Sequence, residues 1–326
     1  MKFFELLPKT HIDFIGIRKT FFVISGAIML ACLASVFFKG MNYGIDFTGG
    51  TMVQVQFEKD IAIAQVRNAV ADAKINADIQ TFVGKNAFAV RVKGRQENVN
   101  EISSAIEAAL KTTQTPFNIE QIDFVGPTVG NHLAKKAIFA FVLAMGAMVI
   151  YIGFRFQNII WGAMAVAALF HDVFLTIGLF SFLHLEVDLV IVAAFLTIAG
   201  FSVNDTIVIF DRVRENIKIN PKMPLKDLLN LSVNDTLSRT IITSLTVIAA
   251  TAILFFMGGP VLRNFSLAML VGLISGTYST VMLVPGLVFQ WTKDGDYSAM
   301  SGEQKVQNQA ESGFQNPQKK SKKRYG

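Results

Sequence analysis

The sequence predicts an α-helical polytopic membrane protein with six transmembrane helices and one extracytoplasmic α+β domain of ferredoxin-like, βαββαβ order. Three observations predict it. Of the 326 residues, 52% are hydrophobic and only 17% charged, whereas a soluble domain carries about 25% charged residues. Six apolar runs approach or exceed the roughly 20 residues needed to cross about 30 Å of hydrocarbon. Between the first two runs, residues 39–136 hold 11 basic and 10 acidic side chains, the balance of a soluble fold.

In chain order, residues 1–19 form a short basic N-terminus and 20–38 the first span. The other spans are placed at 137–154, 159–183, 189–210, 240–257 and 265–291. An even count puts both termini on one side. Lys and Arg number 4 in residues 1–19, 1 at Arg155, 5 in 211–238 and 7 after 291, against Arg263 alone in the short loops of the other face. The positive-inside rule makes both termini cytoplasmic. The first span is read as an uncleaved anchor, because apolar residues continue to Phe38 without a small-x-small cleavage site. The single cysteine, Cys32, excludes an intrachain disulfide and a cysteine metal cluster. Residues 292–326 are rich in Gln, Ser, Gly and Lys and end in Lys319, Lys320, Lys322, Lys323 and Arg324. Such a tail is expected to be disordered, with topology setting as its simplest role.

Within 39–136, Val53, Val55 and Phe57 alternate along a first strand over 52–57. A helix follows over 61–74, with Asp60 as its N-cap. Two strands, 78–83 and 87–92, flank Gly84-Lys85-Asn86. A second helix over 99–111 and a last strand over 118–125 complete the order βαββαβ, a split βαβ layer. Upstream of the first strand, Gly49-Gly50 permits a positive-φ turn, so that Gly44, Asp46, Gly49 and Gly50 read as a structural hinge or anchor.

An ionisable residue inside a membrane helix costs about 2.5–3.5 kcal/mol on insertion scales and needs a partner or a task. The third span contains His171 and Asp172. The fourth contains Asp205, flanked by Asn204 and Thr206; the fifth opens at Arg239. At 100° per residue Thr236, Arg239, Thr243 and Thr246 share one helix face, and Ser202, Asp205 and Thr206 share another. Asp205 and Arg239 abut the same cytoplasmic loop, so that they can lie at similar depth and form a pair. Burial and a nearby guanidinium act in opposite directions on a carboxylate's proton affinity, so the pair suits a proton relay; a static ion pair holding two helices is the alternative. His171 and Asp172 point about 100° apart and are expected to make interhelical hydrogen bonds rather than one compact site.

Conventional catalysis lacks residues. No His-x-x-x-His or His-Glu-x-x-His pair offers metal ligands, no Gly-x-x-x-x-Gly-Lys loop cradles phosphate, and no Gly-x-Ser-x-Gly supplies a nucleophile. No catalytic residue, metal or cofactor is expected. The net charge of +6 does not imply nucleic-acid binding, because the basic residues lie between apolar segments rather than interleaved with aromatics on one surface.

Several motifs occur in order across residues 10–292. They are Gly44-Ile45-Asp46-Phe47-Thr48-Gly49-Gly50-Thr51, Gly126-Pro127-Thr128-Val129-Gly130, Tyr151 to Phe156, His171-Asp172-Val173, Phe201 to Thr206, Phe210 to Asn216 and Arg239 to Ser244. With these motifs around six spans the chain resembles the SecD-SecF family of protein-translocation subunits, on its smaller, SecF side. The resemblance implies membership of the resistance-nodulation-division superfamily. It places the proton-conducting Asp at Asp205 and its gating Arg at Arg239, with the proton-motive force as energy source. Implied partners are SecD, the SecY-SecE-SecG channel, SecA, YajC and unfolded preproteins, at the bacterial inner membrane. Phe201 stands where many relatives carry Tyr, and Asp235 adds a charge able to compete for Arg239. A small-molecule exporter of the same superfamily and a purely structural subunit are the alternatives.

Overall fold

The structure, a computed structural model, describes residues 10–82, 86–93, 99–156 and 158–292. The start of the N-terminus, the turn at Gly84-Lys85 and nearly all of the basic tail lie outside the described residues.

The chain runs through α1 (Arg18–Lys39), β1 (Asn42–Tyr43), α2 (Ile45–Thr48), β2 (Gly50–Phe57), α3 (Ile63–Asp72), β3 (Ala77–Phe82), β4 (Ala87–Lys93), α4 (Val99–Lys111) and β5 (Phe117–Val125). It continues with α5 (Pro127–Arg155), α6 (Ile159–Phe182), β6 (Glu186–Val187), α7 (Leu189–Ile219), α8 (Leu225–Met257), α9 (Gly259–Tyr278), a π-helical turn (Ser279–Leu283) and α10 (Val284–Trp291). Six helical stretches among the described residues are long and apolar enough to cross a membrane: α1, α5, α6, α7, α8 and the composite Leu262–Trp291. Pro285, near the start of α10, lacks the N–H that would bond the Val281 carbonyl, and the ladder widens into the π turn just ahead of it.

Helices run past the hydrophobic stretches at three places: α5 starts at Pro127, α7 continues to Ile219 and α8 starts at Leu225. Residues 211–238 are therefore not a loop but a helical hairpin turning at 220–224. Hydropathy marks only the part of a helix that contacts lipid. Here Val213, Ile217, Leu225, Leu228, Leu229 and Val233 recur at helical spacing and are buried in the same core as the spans. The N-terminal segment is clamped to this hairpin: Ile12 N donates to Asn234 Oδ1 at 3.0 Å and Ile15 N to Asn230 Oδ1 at 3.1 Å. Asp13 meets Lys226 at 2.8 Å, and hydrogen bonds from Lys226, Gly16 and Asn230 hold its carboxyl down at about 2.

The domain between the first two spans is a four-stranded antiparallel sheet of order β3-β4-β2-β5. Each βαβ unit thus has a strand of the other between its own two. Val53 pairs with Val90 on one side and Ile122 on the other, and α3 and α4 cover one face through Val66, Val70, Ile106 and Leu110. α3 begins at Ile63 with Ala62 at its N-cap, not Asp60. β1 pairs in parallel with β6, Asn42 with Glu186 and Tyr43 with Val187. Two residues on each side carry no periodicity, and this small ladder joins the domain's root to the link between the third and fourth spans.

Candidate functional site in the membrane bundle

The polar residues of the bundle gather around α7. One face of this helix, Ala194, Ile198, Ser202, Thr206, Ile209 and Val213, is buried. Asp172 on α6 is fully buried and takes four hydrogen-bonding partners. Ser202 Oγ donates to its Oδ2 at 2.7 Å, Ser279 Oγ to Oδ2 at 2.6 Å and Ser275 Oγ to Oδ1 at 2.8 Å. His171 Nδ1 lies 2.9 Å from Oδ1, while its Nε2 meets Ser25 Oγ of α1 at 2.6 Å. This corrects the expectation that His171 and Asp172 form no compact site. Adjacent Cα–Cβ bonds do diverge by about 100° on a helix, but both side chains bend back to a common point. The expected interhelical hydrogen bonds are present and join four helical segments. Ser25, Ser275 and Ser279 escape a search for charges; Ser275 and Ser279 leave a signal, a hydroxyl recurring at i, i+4 in an apolar run, and Ser25 leaves none.

Asp205 is half-buried on α7 and Asn204 beside it is exposed. The charge of Arg239 on α8 acts on Asp205, yet no ion pair within 4 Å joins them among the described residues. Asp235 does not compete for Arg239: its Oδ2 lies 2.7 Å from Arg212 Nη2 and accepts from Arg212 Nε at 2.9 Å. The predicted polar stripe divides. Thr236 is buried, whereas Arg239, Thr243 and Thr246 are exposed on the outside of the chain. The Thr243 and Thr246 hydroxyls donate to the Arg239 and Thr243 carbonyls of their own helix. Buried hydroxyls on α8 instead follow Ser232, Thr236, Thr240 and Ser244. The Thr206 and Thr240 hydroxyls, each next in sequence to Asp205 or Arg239, are buried without a hydrogen-bond partner among the described residues.

The glycine-rich segment is an anchor at the root of the sheet domain. Gly49 and Gly50 adopt φ of +72° and +142°, the turn that leads from α2 into β2. A Cβ on Gly49 would lie 2.8 Å from Pro127 Cα, and one on Gly130 2.8 Å from Gly49 N. The two motifs are thus packed backbone to backbone. Asp46 Oδ2 accepts from Leu189 N at 3.1 Å, where the positive end of a helix favours a carboxylate. Gly44 N donates to Val187 O at 2.8 Å. Beside them a cleft of about 340 Å³ is lined by Asp46, Arg91, Asp123, Glu186 and Asp188. Arg91 Nη1 lies 2.7 Å from Glu186 Oε2. Burial pushes the Glu186 and Asp188 carboxyls up, with Arg91 acting against it at both. Among the described residues no group of His, Cys, Asp and Glu side chains could hold a metal ion.

Residues 105–294 match the family described as protein export membrane protein SecD/SecF, C-terminal, and residues 34–61 match the SecD/SecF GG motif. The chain is 43% identical over 288 residues to a protein translocase subunit SecF from Magnetococcus marinus, covering 86% of this chain and 92% of the relative. It is 40% identical over 295 residues to that of Calditerrivibrio nitroreducens, covering 88% and 97%. A crystal structure of SecDF, a translocon-associated membrane protein from a Thermus species, superposes with a TM-score of 0.79 at 34% identity over 89% of this chain. SecDF in its super-membrane-facing form gives 0.64 at 32% identity over 94%. The chain spans 40% of the first SecDF chain and 41% of the second, while it matches the SecF relatives over nearly their whole length. With the bundle, the glycine anchor and these matches in agreement, the chain belongs to the SecF family of protein translocase subunits.

Proposed function

We propose that this chain is the SecF-type subunit of a Sec protein translocase, and that proton movement through its membrane bundle promotes late, SecA-independent steps of preprotein export. The observation that carries the reading is Asp205: a half-buried carboxylate in the fourth span, within electrostatic reach of Arg239 but joined to it by no ion pair within 4 Å among the described residues. A closed ion pair would be a strut. An open one changes its interaction energy when Asp205 gains or loses a proton, because protonation removes the charge on which Arg239 acts. Thr206 and Thr240, whose buried hydroxyls lack partners among the described residues, provide donors next in sequence to Asp205 and Arg239 for a moving proton or a rearranged carboxylate.

One charge crossing 100 mV releases about 2.3 kcal/mol. That matches a few solvent-exposed contacts and suffices to bias the sheet domain between two positions. The anchor of Asp46, Gly49 and Gly130 couples the domain to the starts of α7 and α5, so a shift of these helices is carried to the domain as a lever.

The partner is a SecD chain. Arg239, Thr243 and Thr246 occupy the outward side of α8, and a guanidinium presented to lipid is costly; a polar helix of a second subunit covers it. The SecDF matches, in which a SecF-like part is less than half of the chain, support this arrangement. In the same reading the complex sits in the bacterial inner membrane with both termini cytoplasmic. It acts beside SecY-SecE-SecG, SecA and YajC on unfolded preproteins, and has no cofactor and no conventional catalytic chemistry. In cells depleted of their own SecF, expression of this chain with its SecD partner restores export of a secreted precursor. Persistent precursor accumulation, with both chains in the membrane at normal levels, contradicts the reading.

A further inference from the structure

We propose that His171 and Asp172 form a second proton-binding site in the bundle, one that takes a single proton as a unit and is coupled to Asp205 through Ser202. The inference rests on the proton-coupled reading only for its role in transport; the site itself rests on geometry.

Asp172 is fully excluded from solvent, and none of its partners is a permanent cation. Its carboxylate oxygens are engaged by three serine hydroxyls and by His171 Nδ1. An ionised carboxylate beside a neutral imidazole leaves one net negative charge deep in the bundle. Adding one proton makes the pair neutral, as imidazolium with carboxylate or as imidazole with carboxylic acid. The 2.9 Å contact between Nδ1 and Oδ1 serves both forms with the proton on either side. Low-dielectric surroundings favour the form without net charge, and two groups sharing a proton titrate as a pair rather than singly. His171 Nε2 faces Ser25 Oγ at 2.6 Å. The Tyr278 hydroxyl, which donates to Phe21 O at 3.1 Å, interacts with the same Ser25 side chain. Because a hydroxyl both donates and accepts, Ser25 adapts to either state of the ring.

Few other ionisable groups face the pair from the packed helices. α1 presents Cys32, whose Sγ donates to Leu175 O one turn along α6, and α9 presents Tyr278. α5 carries its Lys and Arg residues only toward its ends, at Lys135, Lys136 and Arg155, and α10 has no ionisable side chain. α7 presents Asp205, three residues beyond Ser202. A donor rigidly bound to Asp172 and a titrating carboxylate thus lie within one turn of a single helix. The π turn begins at Ser279, one of the three hydroxyls, and such single-turn distortions concentrate at functional positions.

The test uses the full chain reconstituted with its SecD partner in liposomes. Ring nitrogens are followed by NMR of 15N-histidine, with His171 assigned by its loss in His171→Gln. Carboxyl bands are followed by infrared spectroscopy, assigned by Asp172→Asn and Asp205→Asn, between about pH 5 and about pH 8. The proposal expects His171 and Asp172 signals to change together at one midpoint. It also expects that midpoint to move in both Asp205→Asn and Ser202→Ala, the latter leaving the pair intact. Titration of His171 alone, no titration of either group, or a midpoint indifferent to Asp205→Asn overturns it. Wild type and Ser202→Ala suffice if the other variants do not assemble: a midpoint unmoved by Ser202→Ala overturns the coupling. If gradient-driven export survives Asp205→Asn, the relay reading fails while these spectra still decide whether the site exists.

Discussion

Arg91 of β4 and Glu186 of β6 form an ion pair at 2.7 Å with both side chains nearly buried, and through it the sheet domain is held to the link between the third and fourth spans. Asn42, paired with Glu186 in the small ladder, accepts from Lys93 Nζ at 2.6 Å, so two cations of one strand converge on this root.

The pair gives docking a pH dependence of definite sign. Burial raises the Glu186 carboxyl and Arg91 opposes the rise. A carboxyl raised in the docked state contributes most below its ordinary value, and loses that contribution as pH climbs toward the docked-state value. Arg91→Gln removes the opposing charge. Docking, read as amide exchange of Gly44, whose N–H bonds Val187 O, should then match wild type near about pH 5. Near about pH 8 it should be weaker by about 1–3 kcal/mol. Equal protection at both pH values contradicts the assignment.

Gly49→Ala should destabilise the fold twice over. An L side chain in the left-handed region costs about 1–2 kcal/mol, and the close approach to Pro127 about 1–3 kcal/mol more. Gly146→Ala, on α5 with nothing near its added Cβ, is the control and should be neutral or stabilising. Thermal unfolding in detergent separates the two; equal midpoints would show that the backbone contact is not tight.

Gly178→Leu should expel α1 from the bundle. A Cβ there would lie 2.5 Å from Cys32 Sγ, and Ser35 and Ser181 hydrogen bond at 3.0 Å along the same seam, where small residues let helix backbones approach. Cys32 is the only cysteine and is buried. A membrane-permeant maleimide should therefore label the variant and spare wild type; unchanged labelling would place the α1–α6 contact elsewhere.

The spans and the strand-helix alternation were legible because burial imposes periods of 3.6 and 2 on apolar residues. The helical hairpin at 211–238 was not, since its apolar residues are spaced among charges and never form a hydrophobic run. Asp205, Arg239 and Asp172 stood out by the cost of charge in lipid. What the sequence withheld was which neighbours they meet: the serines on Asp172 come from two spans far from it in the chain, Ser202 from one and Ser275 and Ser279 from the other, and Thr243 and Thr246 share a face with Arg239 that turns outward. A helical wheel gives the angle of a side chain but not the partner waiting at that angle.

The central claim, that Asp205 carries protons for export, is tested most directly in inverted membrane vesicles holding a half-translocated preprotein after ATP is exhausted. With an imposed proton gradient, wild type should complete translocation. Asp205→Asn, at equal protein level, should stall while its ATP-driven phase stays intact. Gradient-dependent completion at the wild-type rate in Asp205→Asn would contradict the account and leave this subunit a scaffold.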